Sequence, residues 1–369
     1  MGIAGNGASY KILQEAGIDD ADLIIAVTGS DELNLLCCTI ATQVGNCAAI
    51  ARVRTPEYSQ EAKYLRDKLG LALIINPELE AAIEMAHILH LPSSLEVTNF
   101  AHGQAQLIKY EIPEGSILDG TKLMDLGTRH HANILIGAVE RDDEVTIPSG
   151  DFVLRKGDKL SFVGERRHTK EFFSHIGVNT HSVKNTLIIG GGKAAYYLAK
   201  QLISRGIKVK IIENSFERCE ELSILLPDAV IINGDGTEQA LLKEEGIETC
   251  QSFVPLTGID EENIMLTLYA KQVSNAKVIT KLNRITFTNV INSLDLGSVI
   301  SPKYITSEAI IAYVRAKKNS MNCNIETLYH MYDSRVEAIE FFVSENSNVT
   351  DIPPVSYTHL RAHETRHDL

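Results

Sequence analysis

Basic residues are in short supply in this sequence. Thirty-five Lys and Arg stand against 48 Asp and Glu, a formal net charge of −13 over 369 residues, with an isoelectric point near 5.4. A broad phosphate-backbone footprint needs clustered cations to displace counterions, so no nucleic acid partner is expected. Long apolar runs are missing too. None approaches the roughly 18 residues that cross a bilayer, and the start, Met1-Gly-Ile-Ala-Gly-Asn6, has neither the basic nor the apolar segment of a secretory signal. A cytoplasmic protein with no transmembrane segment of its own is expected. The six cysteines (Cys37, Cys38, Cys47, Cys219, Cys250 and Cys323) contain no Cys-x-x-Cys pair, which predicts reduced, mostly buried thiols. There is no Gly-x-Ser-x-Gly elbow, no Walker lysine loop and no isolated pair of carboxylates to act as acid and base, so the chain does not read as an enzyme.

What is present is an ordinary globular composition, 44% hydrophobic and 22% charged, and an internal repeat. At an offset of about 229, Gly5-Asn6-Gly7 falls on Gly234-Asp235-Gly236, Gly17-Ile18 on Gly246-Ile247 and Thr28-Gly29 on Thr257-Gly258. Asp31-Glu32 and Asn34 then meet Asp260-Glu261 and Asn263, and Arg52 meets Lys281. A period this long marks two copies of a whole domain rather than a solenoid. Each copy predicts short apolar strands, such as Leu23–Val27 and Ala48–Val53, alternating with helices such as Asp31–Gln43 and Asp260–Val273, with Asp31 and Asp260 placed to accept from free N–H groups at the helix starts. Strands of four to six residues separated by such helices build parallel βαβ units and a doubly wound sheet.

The second copy has a front half that the first lacks: a strand over 186–190, a helix over Tyr196–Ser204, and strands at Lys208–Ile212 and Val230–Ile232. The first copy therefore reads as incomplete, as though some 60 to 70 residues before it were missing. Between the copies lies a different texture of alternating strands, Ala105–Tyr110 and Lys159–Val163, punctuated by turns at Arg141–Asp143 and Lys156–Asp158. The expected architecture is α/β: two Rossmann-like doubly wound domains (1–91, incomplete, and 181–320), each followed by a small α+β domain (92–180 and the start of a second over 325–354). Residues 355–369 break the pattern and read as a non-native tail.

The residues with the clearest chemistry are Gly190-Gly191-Gly192-Lys193-Ala194-Ala195, set between a strand and a helix. The first glycine allows the tight turn, the second lets backbone approach a pyrophosphate, and the small residue at 195 allows close helix–strand packing. Phosphates would lie against the unpaired N–H groups of the helix start. Glu213 closes the next strand about 20 residues on, where a carboxylate can accept from ribose hydroxyls, which favours NAD(H) or another adenine nucleotide over NADP(H). Asp235 and Gly236, in the next turn, are candidates for the adenosine half, although turn geometry alone accounts for their type. Arg52 and Lys281, at matched strand ends, could neutralise phosphate. His363-Glu364-Thr-Arg-His367 matches a zinc-protease pattern but has no apolar face and no room for a further ligand, and His87 and His90 fit core or helix-end positions, so no metal site is expected.

The stretches Ala21–Asn34, Ile50–Tyr58 and Ile188–Gly192, in this tandem order, resemble the RCK (KTN) family over about residues 1–354. The resemblance implies a peripheral regulatory subunit on the cytoplasmic face of the membrane. Such a subunit binds NAD(H) or ATP/ADP, assembles into a homo-oligomeric ring and gates a potassium-translocating membrane partner of the Trk type. A potassium channel or potassium/proton antiporter is the alternative partner, and an NAD-dependent oxidoreductase the alternative class. Ligand contacts carried over to the second copy are Gly190, Gly191, Gly192, Lys193, Ala195, Glu213, Asp235, Gly236, Thr257 and Lys281, with Thr28 and Arg52 at the matching positions of the first. Two departures stand out: the first copy has no glycine motif here, and Ala195 replaces the more usual glycine.

Overall fold

A computed structural model describes residues 2–343 except 46, 92, 101–103, 130–132, 179–180, 285–290, 292–293, 320–324, 333–334 and 342. Cys323, the His363–His367 motif and the tail from 355 lie outside the described residues. The chain divides into two compact units, residues 1–90 with 182–310, and residues 91–181 with 311–369.

In the first unit, the first copy contains α1 (Tyr10–Glu15), β1 (Leu23–Ala26), α2 (Asp31–Val44), β2 (Ala48–Arg52), α3 (Pro56–Gln60), α4 (Ala62–Leu69), β3 (Leu73–Ile75) and α5 (Pro77–His90). Its strands form a parallel sheet in the order β1-β2-β3, with Leu23 beside Ala48 and Ile50 beside Leu73. In the second unit, β4 (Glu96–Phe100), β5 (Ala105–Glu111), α6 (Leu126–Arg129), β6 (Leu135–Arg141), β7 (Glu144–Thr146), β8 (Lys159–Glu165) and α7 (Arg166–His175) make the small module. Its antiparallel sheet runs β4-β5-β8-β6-β7. The hairpin between β6 and β7 turns through Asp142 and Asp143 at φ 51° and 62°, the left-handed pair that a two-residue turn between twisted strands requires. Phe172 and Phe173 of α7 are fully buried against Phe162 of β8, closing this unit's core.

The second copy, back in the first unit, supplies β9 (Asn185–Ile189), α8 (Lys193–Ile203), β10 (Lys208–Glu213), α9 (Phe216–Leu225), β11 (Val230–Asn233), α10 (Gln239–Glu244), β12 (Ser252–Pro255), α11 (Asp260–Val273), β13 (Lys277–Lys281), β14 (Ser298–Ile300) and α12 (Pro302–Asn319). Its six-stranded parallel sheet has the order β11-β10-β9-β12-β13-β14. All six strands are parallel, and the order in which they are added reverses between β9 and β12, from β9-β10-β11 outward on one side to β12-β13-β14 on the other. The carboxyl ends flanking that switch are where open α/β sheets hold ligands. In the second unit, β15 (Ile325–Met331) and β16 (Val336–Phe341) form an antiparallel hairpin. Tyr332, at its tip, donates to the Lys159 carbonyl and accepts from Ser161 Oγ, each at 2.8 Å.

Two local expectations are corrected. The helix after the glycines begins at Lys193, not Tyr196, because Gly192 takes the capping position with extended backbone (φ −65°, ψ −175°) and Lys-Ala-Ala are good helix formers. Asp31 and Asp260 do not cap their own helices. Ser30 caps α2, accepting from the Leu33 amide. The Asp31 carboxylate instead reaches across to the amides of Arg54 and Thr55 at 2.8 and 2.7 Å. Asp260 does the same to Asn283 and Arg284, both at 2.8 Å. Those amides follow the last residue of β2 or β13, where no neighbouring strand takes them, and the carboxylate supplies the acceptor that the ladder does not.

The two copies pack through α5 and α8. Ala81, Ala82, Met85 and Leu89 share one buried core with Ala194, Ala195, Leu198, Ala199 and Leu202, and the alanines on both sides allow the helices to approach closely. Ala195 is completely buried there, so smallness at that position serves the contact between copies as well as the phosphate turn. None of the five described cysteines is paired; burial pushes Cys38 up to about 12, which keeps it a thiol.

Candidate functional site

The glycine turn sits at the carboxyl end of β9, beside the switch point. Gly190 has φ +94°, and a Cβ added to it would lie 3.1 Å from the Leu256 carbonyl oxygen, so both conformation and space demand glycine. Gly191 is squeezed as well, its hypothetical Cβ 2.6 Å from Leu222 and 3.1 Å from Glu213. Gly192 is the opposite case, with nothing within 4 Å and the residue exposed. The start of α8 has no side chain capping it, which leaves the first-turn amides for a ligand. An open glycine leading into an uncapped helix start suits a phosphate group.

Glu213, at the end of β10, accepts from the Gly191 amide at 2.6 Å and from the Ser215 amide at 2.7 Å. The acid is thereby fixed at the rim of the turn. Asp235 accepts from both the amide and the hydroxyl of Thr237, at 2.8 and 2.7 Å, and those bonds lower its pKa. Its carboxylate thus closes its own exposed turn. Gly236 is needed for packing, since a Cβ there would fall 2.3 Å from Ile189. Thr257 follows β12, with its amide and hydroxyl both bonded to Asn263 Oδ1 at 3.0 and 2.9 Å. Lys281 Nζ lies 3.4 Å from the Leu256 carbonyl, and burial lowers its pKa.

The first copy mirrors this edge. Thr28 donates its amide to Asn34 Oδ1 at 2.7 Å, and Arg52 Nη2 donates to the Thr28 carbonyl at 2.7 Å. Arg52 Nε is buried with no partner, and burial lowers the arginine's pKa. The Glu78 carboxylate at the start of α5 bears electrostatically on both Arg52 and Lys281, so the two matched cations share one neighbouring anion.

Lys193 extends away from its own turn, its Nζ donating to Thr55 Oγ1 of the first copy at 3.0 Å. One turn along α8, Tyr197 Oη donates to the Arg54 carbonyl at 2.9 Å and accepts from Asn76 Nδ2 at 3.0 Å. The glycines, Glu213, Thr257 and Lys281 therefore gather at the second copy's carboxyl edge. Thr28 and Arg52 lie at the first copy's edge, and Asp235 bonds only within its own turn. Thr55, Asn76 and Tyr197 were not legible as parts of this arrangement. For Tyr197, its place four residues after Lys193 on one helix face was the available signal.

The fold and this edge define a tandem protein of Rossmann type in which two copies of one domain are joined through the helix that starts at the glycine turn. The TrkA-N domain matches residues 1–77 and 186–302, and the TrkA-C domain residues 107–177. A Trk system potassium uptake protein trkA homolog 1 of Methanosarcina mazei is 33% identical over 359 residues, 95% of this chain and 86% of that protein. The Trk system potassium uptake protein TrkA of Haemophilus influenzae is 31% identical over 95% of this chain and 76% of its own length. The chain belongs to the TrkA family. Among solved structures, the GsuK RCK domain aligns with TM-score 0.67 at 18% identity, over 89% of this chain and 69% of that one. The GsuK channel bound to NAD aligns at 0.65 and 19%, over 89% and 57%. These two likenesses bear on the fold, and they match the expected pairing of Rossmann-like and small domains. The relatives are named for potassium uptake, in keeping with a chain that is not an enzyme. Among the described residues, no helix is long and apolar enough to cross a membrane.

Proposed function

We propose that this chain is a regulatory subunit of a potassium-translocating membrane protein of the Trk type, and that its second copy senses NAD(H) or an adenine nucleotide such as ATP or ADP. The observation that carries the reading is the turn Gly190–Gly192 leading into an uncapped α8, with Glu213 held beside it. Phosphates would take the first-turn amides of α8, and Glu213 would accept from the ribose hydroxyls. The membership of the TrkA family supports the potassium-regulating half of the proposal. A regulator of this kind works by differential binding: a ligand that fits two shapes of the assembly unequally shifts the gate by its difference in affinity. Assembly into a homo-oligomeric ring at the cytoplasmic face of the membrane belongs to the same proposal.

A thermal-shift panel of NAD, NADH, ATP and ADP, repeated with Glu213→Ala, tests the binding half. At least one nucleotide should raise the melting temperature of the native protein, with the shift reduced in the variant. No shift with any nucleotide removes the reading.

A further inference from the structure

Arg218, in the first turn of α9, makes a contact that bears on the glycine turn. Its Nε donates to the Gly191 carbonyl at 2.7 Å, and its Nη1 pairs with Glu221 at 2.5 Å. Two successive peptides are thus held, 190–191 through the Gly191 N–H by Glu213 and 191–192 through the Gly191 carbonyl by Arg218. In a trans peptide the carbonyl of one residue and the N–H of the next point in opposite directions in one plane. Holding the Gly191 carbonyl toward α9 therefore aims the Gly192 N–H the other way. Gly192 has open space around it. Glycines on both sides of this peptide leave it little intrinsic preference, because neither has a Cβ to restrict its rotation. A rotation of the 191–192 peptide would turn a carbonyl oxygen toward any bound phosphate and withdraw an amide from it.

We propose that Arg218 is a positioning residue that locks the 191–192 peptide with its N–H presented to the ligand phosphates. The proposal rests on the nucleotide reading above. It separates the role of the donor atom from that of the charge, because the amide nitrogen of glutamine stands at the same position along the side chain as arginine Nε. Arg218→Gln therefore keeps a donor for the Gly191 carbonyl without the charge, and Arg218→Met keeps the bulk without either.

Calorimetric titration of the full chain with ADP and with adenosine tests it. Arg218→Met should weaken ADP about tenfold, the scale of one lost charge-assisted hydrogen bond, and leave adenosine within about twofold. Arg218→Gln should hold ADP within about threefold of the native protein by retaining the bond. The amide resonance of Gly192 in the ligand-free protein should shift in Arg218→Met more than in Arg218→Gln. If native protein binds both ligands while Arg218→Met loses ADP and adenosine alike, or loses neither, the clamp is wrong and the nucleotide reading stands. The clamp is also wrong if Arg218→Gln is as weak as Arg218→Met. Where native protein binds NADH and not ADP, NADH takes the place of ADP in the comparison; native protein that binds none of ADP, adenosine and NADH overturns both.

Discussion

Replacing Tyr197 with phenylalanine removes a single oxygen from the joint between the copies. That oxygen donates to the Arg54 carbonyl at 2.9 Å and accepts from Asn76 at 3.0 Å. The ring is 7% exposed, and burial raises the phenol's pKa, so it remains a protonated donor at neutral pH. Two hydrogen bonds at about 1 kcal/mol each, with a carbonyl left unmet, put the loss at about 2 kcal/mol. In a unit of this size that is a fall of about 4–8 °C in melting temperature. The adjacent Tyr196 is equally buried and makes an edge contact with Tyr197, but its hydroxyl makes none of the hydrogen bonds of the described residues. Tyr196→Phe is therefore the matched control and should stay within about 0.5 kcal/mol of the native protein. Urea unfolding followed by circular dichroism measures both variants. If Tyr197→Phe is as stable as the native chain, or if the two variants lose equal amounts, the reasoning that these bonds hold the copies together is refuted.

Gly190→Ala should abolish nucleotide-induced stabilisation and cost about 1–3 kcal/mol, because φ +94° and the nearby Leu256 carbonyl both reject a Cβ; calorimetry with and without ADP reads both effects. Asp31 carries a pH prediction. Burial raises its pKa, but the bonds from Thr55 and Arg54 and the charge of Lys193 outweigh that and hold it below the ordinary 3.8. A depressed carboxyl stabilises the fold above its unfolded pKa, and that contribution is lost as pH falls through the folded value. Asp31→Asn should therefore lower stability at pH 7 and flatten the acid limb of the stability profile below about pH 4. A variant whose acid limb runs parallel to that of the native protein would contradict this.

What was legible in the sequence was local chemistry and its repetition. Gly190 to Ala195 announce a turn because a positive φ and close backbone approach leave few other residue types possible, and Glu213 follows at a spacing set by one helix and one strand. The repeat made the second strand and helix of each copy readable from the other. The long-range ties were not legible. Asp31 reads as a helix cap from its position beside Ser30, and only folding reveals acceptor-seeking amides at Arg54 and Thr55. Lys193 is a ligand contact by the family resemblance, yet its bond in the folded chain is to Thr55, 138 positions away. Arg218 sits in an ordinary amphipathic stretch, and nothing in its neighbours announces that its Nε meets the Gly191 carbonyl.

The partnership of α5 with α8 also bears on how the chain is made. On the ribosome, α5 is complete at His90, whereas α8 begins at Lys193, about a hundred residues later. At synthesis rates of about 5–20 residues per second, the α5 face carrying Met85, Ile88 and Leu89 waits roughly 5–20 seconds for its cover. The small module, residues 92–180, is synthesised within that interval and has a core of its own. Birth order thus places a module with its own core between two halves that depend on each other, and leaves the apolar face of α5 uncovered for that interval.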